Sequence, residues 1–286
     1  MDDRIKALVN DVGELVSIPE VAMRVNQMVD DPKSTAMDMG RVLAQDPALA
    51  VRLLRIANSP FYGLATEIDS ISRAVTLLGT KQIRDLVVST AVANAFDGIP
   101  NSLISMKDFW LHSLYCGLLA KTLAKVGGKV NGDSIFVSGL LHDIGQLVMF
   151  NRMPEESRQA IVLVMDGPDD LQMYQAERQI FGFDHMQVGA ELAQSWQLSK
   201  TLQECIEFHH EPTRAKDFPL ETAMIHIANT VAVIAELHET DYAEELASLD
   251  PVSWELTGLT MDDIGPAITS VHEEIAEIEK ALFSDS

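Results

Sequence analysis

The fold of this chain is decided by the stretch LHDIG at residues 141–145, which follows the stretch WLHS at residues 110–113. Both stretches lie in apolar segments with helical periodicity, which predicts two long helices carrying His112, His142 and Asp143. Consecutive helical residues point about 100° apart, so His142 and Asp143 reach one cation only where neighbouring helices surround it. Two imidazoles and a carboxylate suit a divalent ion such as iron, zinc or manganese. The sequence therefore predicts a metal site between packed helices.

The composition is that of an ordinary globular protein with an acidic surface. The chain has 286 residues, 47% of them hydrophobic, and its net charge is -22 with a pI near 4.6. A charge of this sign opposes broad attraction to nucleic acid or to anionic membranes. The N-terminus lacks a signal peptide, and no stretch approaches ~18 uninterrupted apolar residues. We therefore expect a cytoplasmic protein with no membrane contact, in which Cys116 and Cys205 are buried, reduced thiols.

Helical periodicity runs along most of the chain. Ser17 and Ser34 are the predicted caps of two N-terminal helices, and Asp46 followed by Pro47 starts the next one. Thr80 opens a longer helix that runs to about residue 96. The later predicted helices span residues 107–126, 133–150, 154 onward, 168–181, 186–196 and 200–209.

These segments show no alternation typical of β-strands, so the sequence predicts an all-α fold. Short N-terminal helices would form a subdomain over residues 1–100 that packs on a core of longer helices over residues 101–215. An acidic helical extension would follow over residues 216–286.

Several short stretches, taken in order, resemble the HDOD domain, a branch of the HD superfamily. They are residues 15–19, 44–50, 53–59, 74–79, 110–113, 140–145, 181–185, 188–189 and 208–210. The resemblance covers roughly residues 8 to 215 and implies an all-helical HD-superfamily core. Such domains occur in bacterial signalling proteins, often without demonstrated catalysis. Relatives with the complete set of HD ligands are metal-dependent phosphohydrolases, including cyclic-dinucleotide phosphodiesterases.

The resemblance also identifies the residues of the metal site. His112, His142 and Asp143 match the first three ligand positions of HD enzymes, whereas the fourth position, an Asp in those enzymes, is Asn229. An amide oxygen brings no charge, so the affinity for a divalent ion should fall. HD enzymes often carry a lysine after the His-Asp-Ile-Gly run that can meet a phosphate oxygen, and this chain has Gln146 there. The predicted site is therefore degraded at two positions.

Three further histidines, His185, His209 and His210, resemble the additional metal ligands of HD-GYP phosphodiesterases, although the glycine-tyrosine-proline signature is absent. A plainer interpretation is that His185 follows the N-cap Asp184 and that the pair at 209–210 caps the end of its helix through the dipole. The remaining histidines at apolar positions are expected to be hydrogen-bonded core residues. They are His226, His238 and His272.

Charge is distributed unevenly. Residues 41–84 carry a net charge of +3, whereas residues 236–286 contain 14 acidic residues and one lysine. The acidic segment is expected to be a solvated helical face, or to dock on the basic helices of its own chain or of a second copy in a homodimer. Alternatively, the basic segment receives an acidic signalling partner. The residues of this predicted partner surface are Arg41, Arg52, Arg55, Arg73 and Arg84.

Three functions remain open. The preferred one is a regulatory module that binds a signalling partner or a phosphate-containing small ligand, since Asn229 and Gln146 weaken the enzyme site. The alternative is a metal-dependent phosphohydrolase acting on a nucleotide or cyclic dinucleotide, in which Asp143 would anchor the metal. A nucleic-acid binder using the basic segment is disfavoured by the overall acidity.

Overall fold

The structure is a computed structural model that describes residues 3–13, 19–31, 33–59, 62–63, 68–96, 103–130, 132–168 and 171–283. Its regular structure over these residues is helical, which confirms the all-α prediction. Two short 3-10 helices, Pro212–Arg214 and Met261–Asp263, accompany the α-helices. The α-helices are α1 Asp3–Gly13, α2 Glu20–Asp30, α3 Ala36–Leu43, α4 Pro47–Ala57, α5 Ile71–Leu78, α6 Thr80–Phe96, α7 Met106–Gly127, α8 Gly132–Leu141, α9 Ile144–Arg152, α10 Pro154–Asp166, α11 Met173–Phe181, α12 His185–Ser195, α13 Lys200–Phe208, α14 Pro219–Leu237, α15 Ala243–Ala247, α16 Pro251–Thr257 and α17 Ile264–Phe283.

Local capping chemistry sets several of the helix starts. The Asp46 side chain accepts a hydrogen bond from the Leu49 amide and Pro47 is the first helical residue of α4, as the sequence predicted. The prediction for Ser34 was wrong by one residue, because Thr35 caps α3 and forms a reciprocal capping box with Asp38. The predicted cap Ser17 lies outside the described residues.

The helix predicted over 133–150 is broken at its most informative point. Helix α8 ends at Leu141 and α9 begins at Ile144, so His142 and Asp143 form the turn between them. The His142 ring caps the end of α8, because Nδ1 lies 2.7 Å from the Gly139 carbonyl oxygen. Asp143 adopts φ -100° and ψ 9°, which is outside helical geometry. Both side chains are thereby released from helical spacing and can face the same space.

The predicted start of another helix also differs from the structure. The helix predicted over 168–181 begins at Met173, where Gln172 and Gln175 form the capping box. Helix α12 begins at His185, and its cap Asp184 accepts a hydrogen bond from the Gln187 amide. The predicted cap Asp184 is therefore confirmed by the structure.

Helix α7 lies at the centre of the molecule and is buried along most of its length. It packs against α8, α14 and α17, while α12 packs against α9 and α13. Two glycines allow the close crossing of α7 and α8, since a Cβ on Gly139 of α8 would lie 2.7 Å from the Gly117 backbone of α7. The metal-ligand candidates lie where α7, α14 and the ends of α8 and α13 meet.

The acidic C-terminal helix α17 packs against α7 and against α4 of the N-terminal part. Helix α4 carries Arg52 and Arg55, so the acidic extension lies against a basic helix of its own chain, which was one of the predicted arrangements. Lys107 of α7 lies 3.9 Å from Glu279 in the same contact. None of the helices in the described ranges has both the length and the apolar character that a membrane span requires.

Candidate metal centre

The site is organised around the carboxylate of Asp143. Its Oδ2 atom lies 3.2 Å from His142 Nε2 and 4.0 Å from His112 Nε2. Its Oδ1 atom lies 3.3 Å from His185 Nε2 and 3.4 Å from His209 Nε2. Four histidines, spread over almost a hundred residues of sequence, thus each point one ring nitrogen toward the same carboxylate.

The opposite nitrogen of each histidine is held by a fixed oxygen. His142 Nδ1 lies 2.7 Å from the Gly139 carbonyl, and His209 Nδ1 lies 2.9 Å from the Ile206 carbonyl. His185 Nδ1 lies 2.6 Å from Glu177 Oε2, and the same oxygen accepts a hydrogen bond from the His185 backbone amide. An oxygen on Nδ1 fixes the ring orientation and leaves Nε2 available, which is the arrangement typical of metal-binding histidines. These rings are therefore preorganised around Asp143.

His112 is held differently, between two side chains of α14. Its Nδ1 atom lies 2.7 Å from Glu236 Oε1, and its Nε2 atom lies 3.0 Å from Asn229 Oδ1. The amide of Asn229 therefore engages the nitrogen that would otherwise bind a metal. The side chain of His112 is 19% exposed, so solvent reaches this edge of the site.

The donor atoms form two clusters that share Asp143. One comprises His112, His142 and Asp143, and the other comprises Asp143 with His185, His209 and His210. Within each cluster one donor atom from every residue lies within 4.8 Å of the others. All six predicted histidine and aspartate ligands are thus brought together, with Asn229 beside them.

Burial makes the charges of this centre depend strongly on one another. Burial alone lowers the pKa of His142, but the neighbouring Asp143 carboxylate raises it well above its usual value. Burial raises the pKa of Asp143, but His142 and the adjoining rings lower it well below its usual value. Burial also lowers the pKa of His209 to about 4, so this ring is a neutral donor at neutral pH. The negative charge of a buried carboxylate is costly, and a cation bound among the imidazoles would balance it.

The donor set fits a divalent metal ion. His142 Nε2 and Asp143 Oδ1 are buried and form no hydrogen bond of acceptable geometry among the described residues, although the Asp143 carboxylate lies within 3.4 Å of the His142, His185 and His209 rings. Buried polar atoms of this kind are costly unless a ligand or an ion engages them. Imidazole nitrogens with one carboxylate are donors that iron, zinc and manganese accept. Asp143, His185, His209 and His210, whose donor atoms lie within 4.8 Å of one another, are the residues that would hold the ion.

Sequence reasoning missed Glu177 and Glu236, which hold His185 and His112. Glu177 is almost fully buried on α11 and lies eight residues before His185, whereas Glu236 lies 124 residues after His112. A glutamate in the apolar pattern of a buried helix was the available signal, because a charge in such a position needs a partner. Among the other histidines, His226 is a hydrogen-bonded core residue as expected, with Nδ1 lying 2.7 Å from the His209 carbonyl.

The predicted partner surface is distributed over α3 to α6 rather than gathered in the site. Arg41 lies 3.4 Å from Asp38, Arg73 lies 4.0 Å from Asp69, and Arg84 lies 2.6 Å from Asp85. Each of these three arginines therefore has an acidic neighbour close in sequence, which reduces the positive field that a partner would meet. Arg52 and Arg55 lie on α4, against which α17 packs.

The family model described as the HDOD domain matches residues 15–212 of this chain. Similar solved structures include the protein named "Putative phosphohydrolase" from Shewanella amazonensis SB2B, which is 27% identical with a TM-score of 0.76, covering 96% of this chain and 98% of that chain. An HDOD domain protein with unknown function from Geobacter sulfurreducens is 26% identical with a TM-score of 0.74, covering 98% of this chain and 97% of that chain.

A curated relative is an uncharacterized protein of Treponema pallidum (strain Nichols). It is 26% identical over an alignment of 217 residues. The match covers 72% of this chain but only 39% of that protein. The present chain therefore corresponds to about two fifths of that longer relative.

Proposed function

Since the chain belongs to the HDOD domain family, we propose that it is a signal-transduction or regulatory module. In this proposal the HD pocket holds one divalent metal ion on Asp143, His185, His209 and His210. The module acts by binding a ligand or a partner protein and does not turn over a substrate. The metal fixes the meeting point of α8, α12 and α13, and thereby the surfaces that these helices present.

Burial of the donor set is the observation that carries this proposal. The side chains of His185 and His209 have no solvent exposure, that of Asp143 is 9% exposed, and His210 is partly buried. Structural metal sites are closed by protein ligands, whereas catalytic sites keep one position open to water or substrate. The closed geometry around Asp143 therefore favours a structural or regulatory role for the ion.

The state of the His112 edge supports the same conclusion. Solvent reaches this edge, and here both nitrogens of His112 are engaged by Glu236 and Asn229. Gln146, where enzymes of the superfamily often have a lysine, also brings no positive charge for a substrate phosphate. The accessible edge at His112 is thus a degraded part of the site.

The experiment that tests the proposal combines metal analysis with an activity assay. We expect the purified protein, reconstituted with Mn²⁺, Fe²⁺ or Zn²⁺, to retain close to one ion per chain after gel filtration. We also expect no hydrolysis of bis(p-nitrophenyl) phosphate or of cyclic dinucleotides above the rate of a His142→Ala variant. Absence of bound metal contradicts the metal site, and turnover that His142→Ala abolishes contradicts the regulatory role.

A phosphohydrolase is the second candidate, and one observation favours it. The two ligand clusters share Asp143, so a carboxylate stands where it could bridge two ions. A bound metal would lower the pKa of a coordinated water in such an enzyme. This function requires the His112 cluster to be occupied, which depends on whether His112 leaves its contact with Asn229.

Substitution of Asn229 by Asp is expected to restore a second metal at the His112 cluster. The new carboxylate would stand next to His112 and add the charge that the present amide lacks. The affinity for a second Mn²⁺ should rise by roughly tenfold or more, since attraction between charges about 4 Å apart is large at a partly buried site. Isothermal titration with Mn²⁺ measures the change, and Asn229→Ala is the matched control. An unchanged stoichiometry in Asn229→Asp would show that charge at this position is not what limits the site.

A further inference from the structure

The three histidines of the cluster that contains Asp143, His185, His209 and His210 come from two chain segments that must be held at a fixed distance. His185 is the first residue of α12 and directly follows the cap Asp184. His209 and His210 follow α13 and directly precede Glu211. The Nε2 atoms of His185 and His209 lie only 3.3 Å apart, so a small displacement of either segment would change the donor geometry.

One guanidinium group joins the two segments. Arg178 of α11 donates from Nε to Asp184 Oδ2 at 2.6 Å. Its two terminal nitrogens donate to the two carboxylate oxygens of Glu211, at 2.9 and 2.6 Å. Asp184 is fully buried, whereas Arg178 and Glu211 are 33% and 23% exposed, so the bond to Asp184 is the one that is better shielded from water. A planar guanidinium is the side chain that can bind both carboxylates at once.

The same helix supports the ligands through two further side chains. The Arg178 guanidinium lies over the ring of Tyr174, 4.9 Å from its centroid. Tyr174 stacks in turn on His210, with ring centroids 5.0 Å apart and an interplanar angle of 12°. Glu177, the neighbour of Arg178, holds His185 Nδ1. Three positions of α11 therefore contact His210, His185 and the carboxylates of Asp184 and Glu211.

From these contacts we propose that Arg178 is a positioning residue for the metal centre: it ties Asp184 to Glu211 and so sets the separation of His185 from His209 and His210. The inference rests on the proposed function, because the geometry that Arg178 fixes is the geometry that would receive the ion. Arg178 itself directs its nitrogens away from the donor atoms, toward the two carboxylates.

Titration with Co²⁺ tests this role, because its visible absorption depends on the number and arrangement of the ligands. Arg178→Gln is expected to weaken Co²⁺ binding by roughly 10- to 100-fold, which is the range for residues that orient metal ligands. The spectrum of the saturated variant should also differ from that of the wild type. Arg178→Lys should recover only part of the Co²⁺ affinity. The ammonium group keeps the positive charge but lacks the planar fork that reaches both carboxylates.

Arg214→Gln is the matched control. Arg214 also binds Glu211, at 2.5 Å, but the structure gives it no contact with Asp184 and leaves it 53% exposed. An exposed ion pair contributes little, so Co²⁺ affinity should stay within about threefold of the wild type. Equal losses in Arg178→Gln and Arg214→Gln would overturn the positioning role, as would wild-type affinity and spectrum in Arg178→Gln.

A second measurement keeps this inference separate from the proposed function. Ring ¹⁵N signals of His185 and His209 are recorded by NMR in the metal-free protein, with His272 of α17, which lies in neither cluster and contacts the Ala235 carbonyl oxygen, as the internal reference. In Arg178→Gln we expect the two signals to shift or broaden while that of His272 is unchanged. If the wild type takes up no Co²⁺, the proposed metal site is contradicted, and the ¹⁵N signals alone test the positioning role of Arg178. Identical signals in the wild type and in Arg178→Gln would reject that role.

Discussion

Replacing Asp143 with asparagine is expected to remove metal binding from both clusters at once. Asp143 is the shared member of the two clusters, with one oxygen facing His142 and the other facing His185 and His209. The amide has nearly the same size but no charge, so the ion loses its only carboxylate ligand among the candidate residues. We expect the affinity for Mn²⁺ or Zn²⁺ to fall by more than roughly 100-fold, beyond the range for residues that merely orient ligands.

Thermal unfolding with and without a chelator measures this loss. A metal that binds only the folded state raises the unfolding temperature, so a chelator should lower it in the wild type and leave it unchanged in Asp143→Asn. Asp85→Asn is the matched control, since Asp85 is also largely buried but pairs with Arg84 on α6. An Asp143→Asn protein that retains stoichiometric metal would show that the ion is held elsewhere.

Helix boundaries that depend on neighbouring residues could be predicted from the sequence. Asp46 and Pro47 start α4 by chemistry confined to one turn, and Thr80 begins α6 as expected. The error at Ser34 has the same local origin, because Ser34 and Thr35 are both suitable caps and Asp38 selects Thr35 by completing the box. Local patterns thus locate these helices to within about one residue, while leaving similar neighbouring caps unresolved.

The break at His142 and Asp143 could not be predicted in the same way. Apolar residues continue through 133–150 at helical spacing, and nothing in that pattern marks a turn. The break arises from tertiary structure, where α9 leaves α8 to run against α12. The resemblance named the candidate ligand residues, and the structure places them close together around Asp143. Their supports Glu177 and Glu236 were missed, because each is distant in sequence from the ring it holds or lies on a different helix.

Substitution of Gly145 by alanine is expected to lower the free energy of unfolding more than any other substitution proposed above. A Cβ at Gly145 would lie 1.9 Å from the His185 carbonyl oxygen and 2.6 Å from the Gly189 amide nitrogen. Both atoms belong to the backbone of α12, so no side-chain rotation can relieve the clash and the two helices must separate. We expect the free energy of unfolding to fall by about 3 kcal/mol or more, the upper range for an overfilled core, as measured by urea denaturation.

Gly265→Ala in α17 is the matched control for this substitution. Apart from its chain neighbours, its Cβ would meet only the Tyr242 hydroxyl, at 3.2 Å, and that group lies at the end of a side chain that can rotate. Gly265 precedes Pro266, which disfavours helical geometry for a residue with a Cβ and so offsets the better helix propensity of alanine; Gly265→Ala should therefore change the free energy of unfolding by no more than about 1 kcal/mol. Separation of α9 from α12 would also move His185 away from Asp143, so Gly145→Ala should lose metal affinity together with stability. A Gly145→Ala protein as stable as the wild type would contradict the close approach of the two backbones, on which the position of His185 depends.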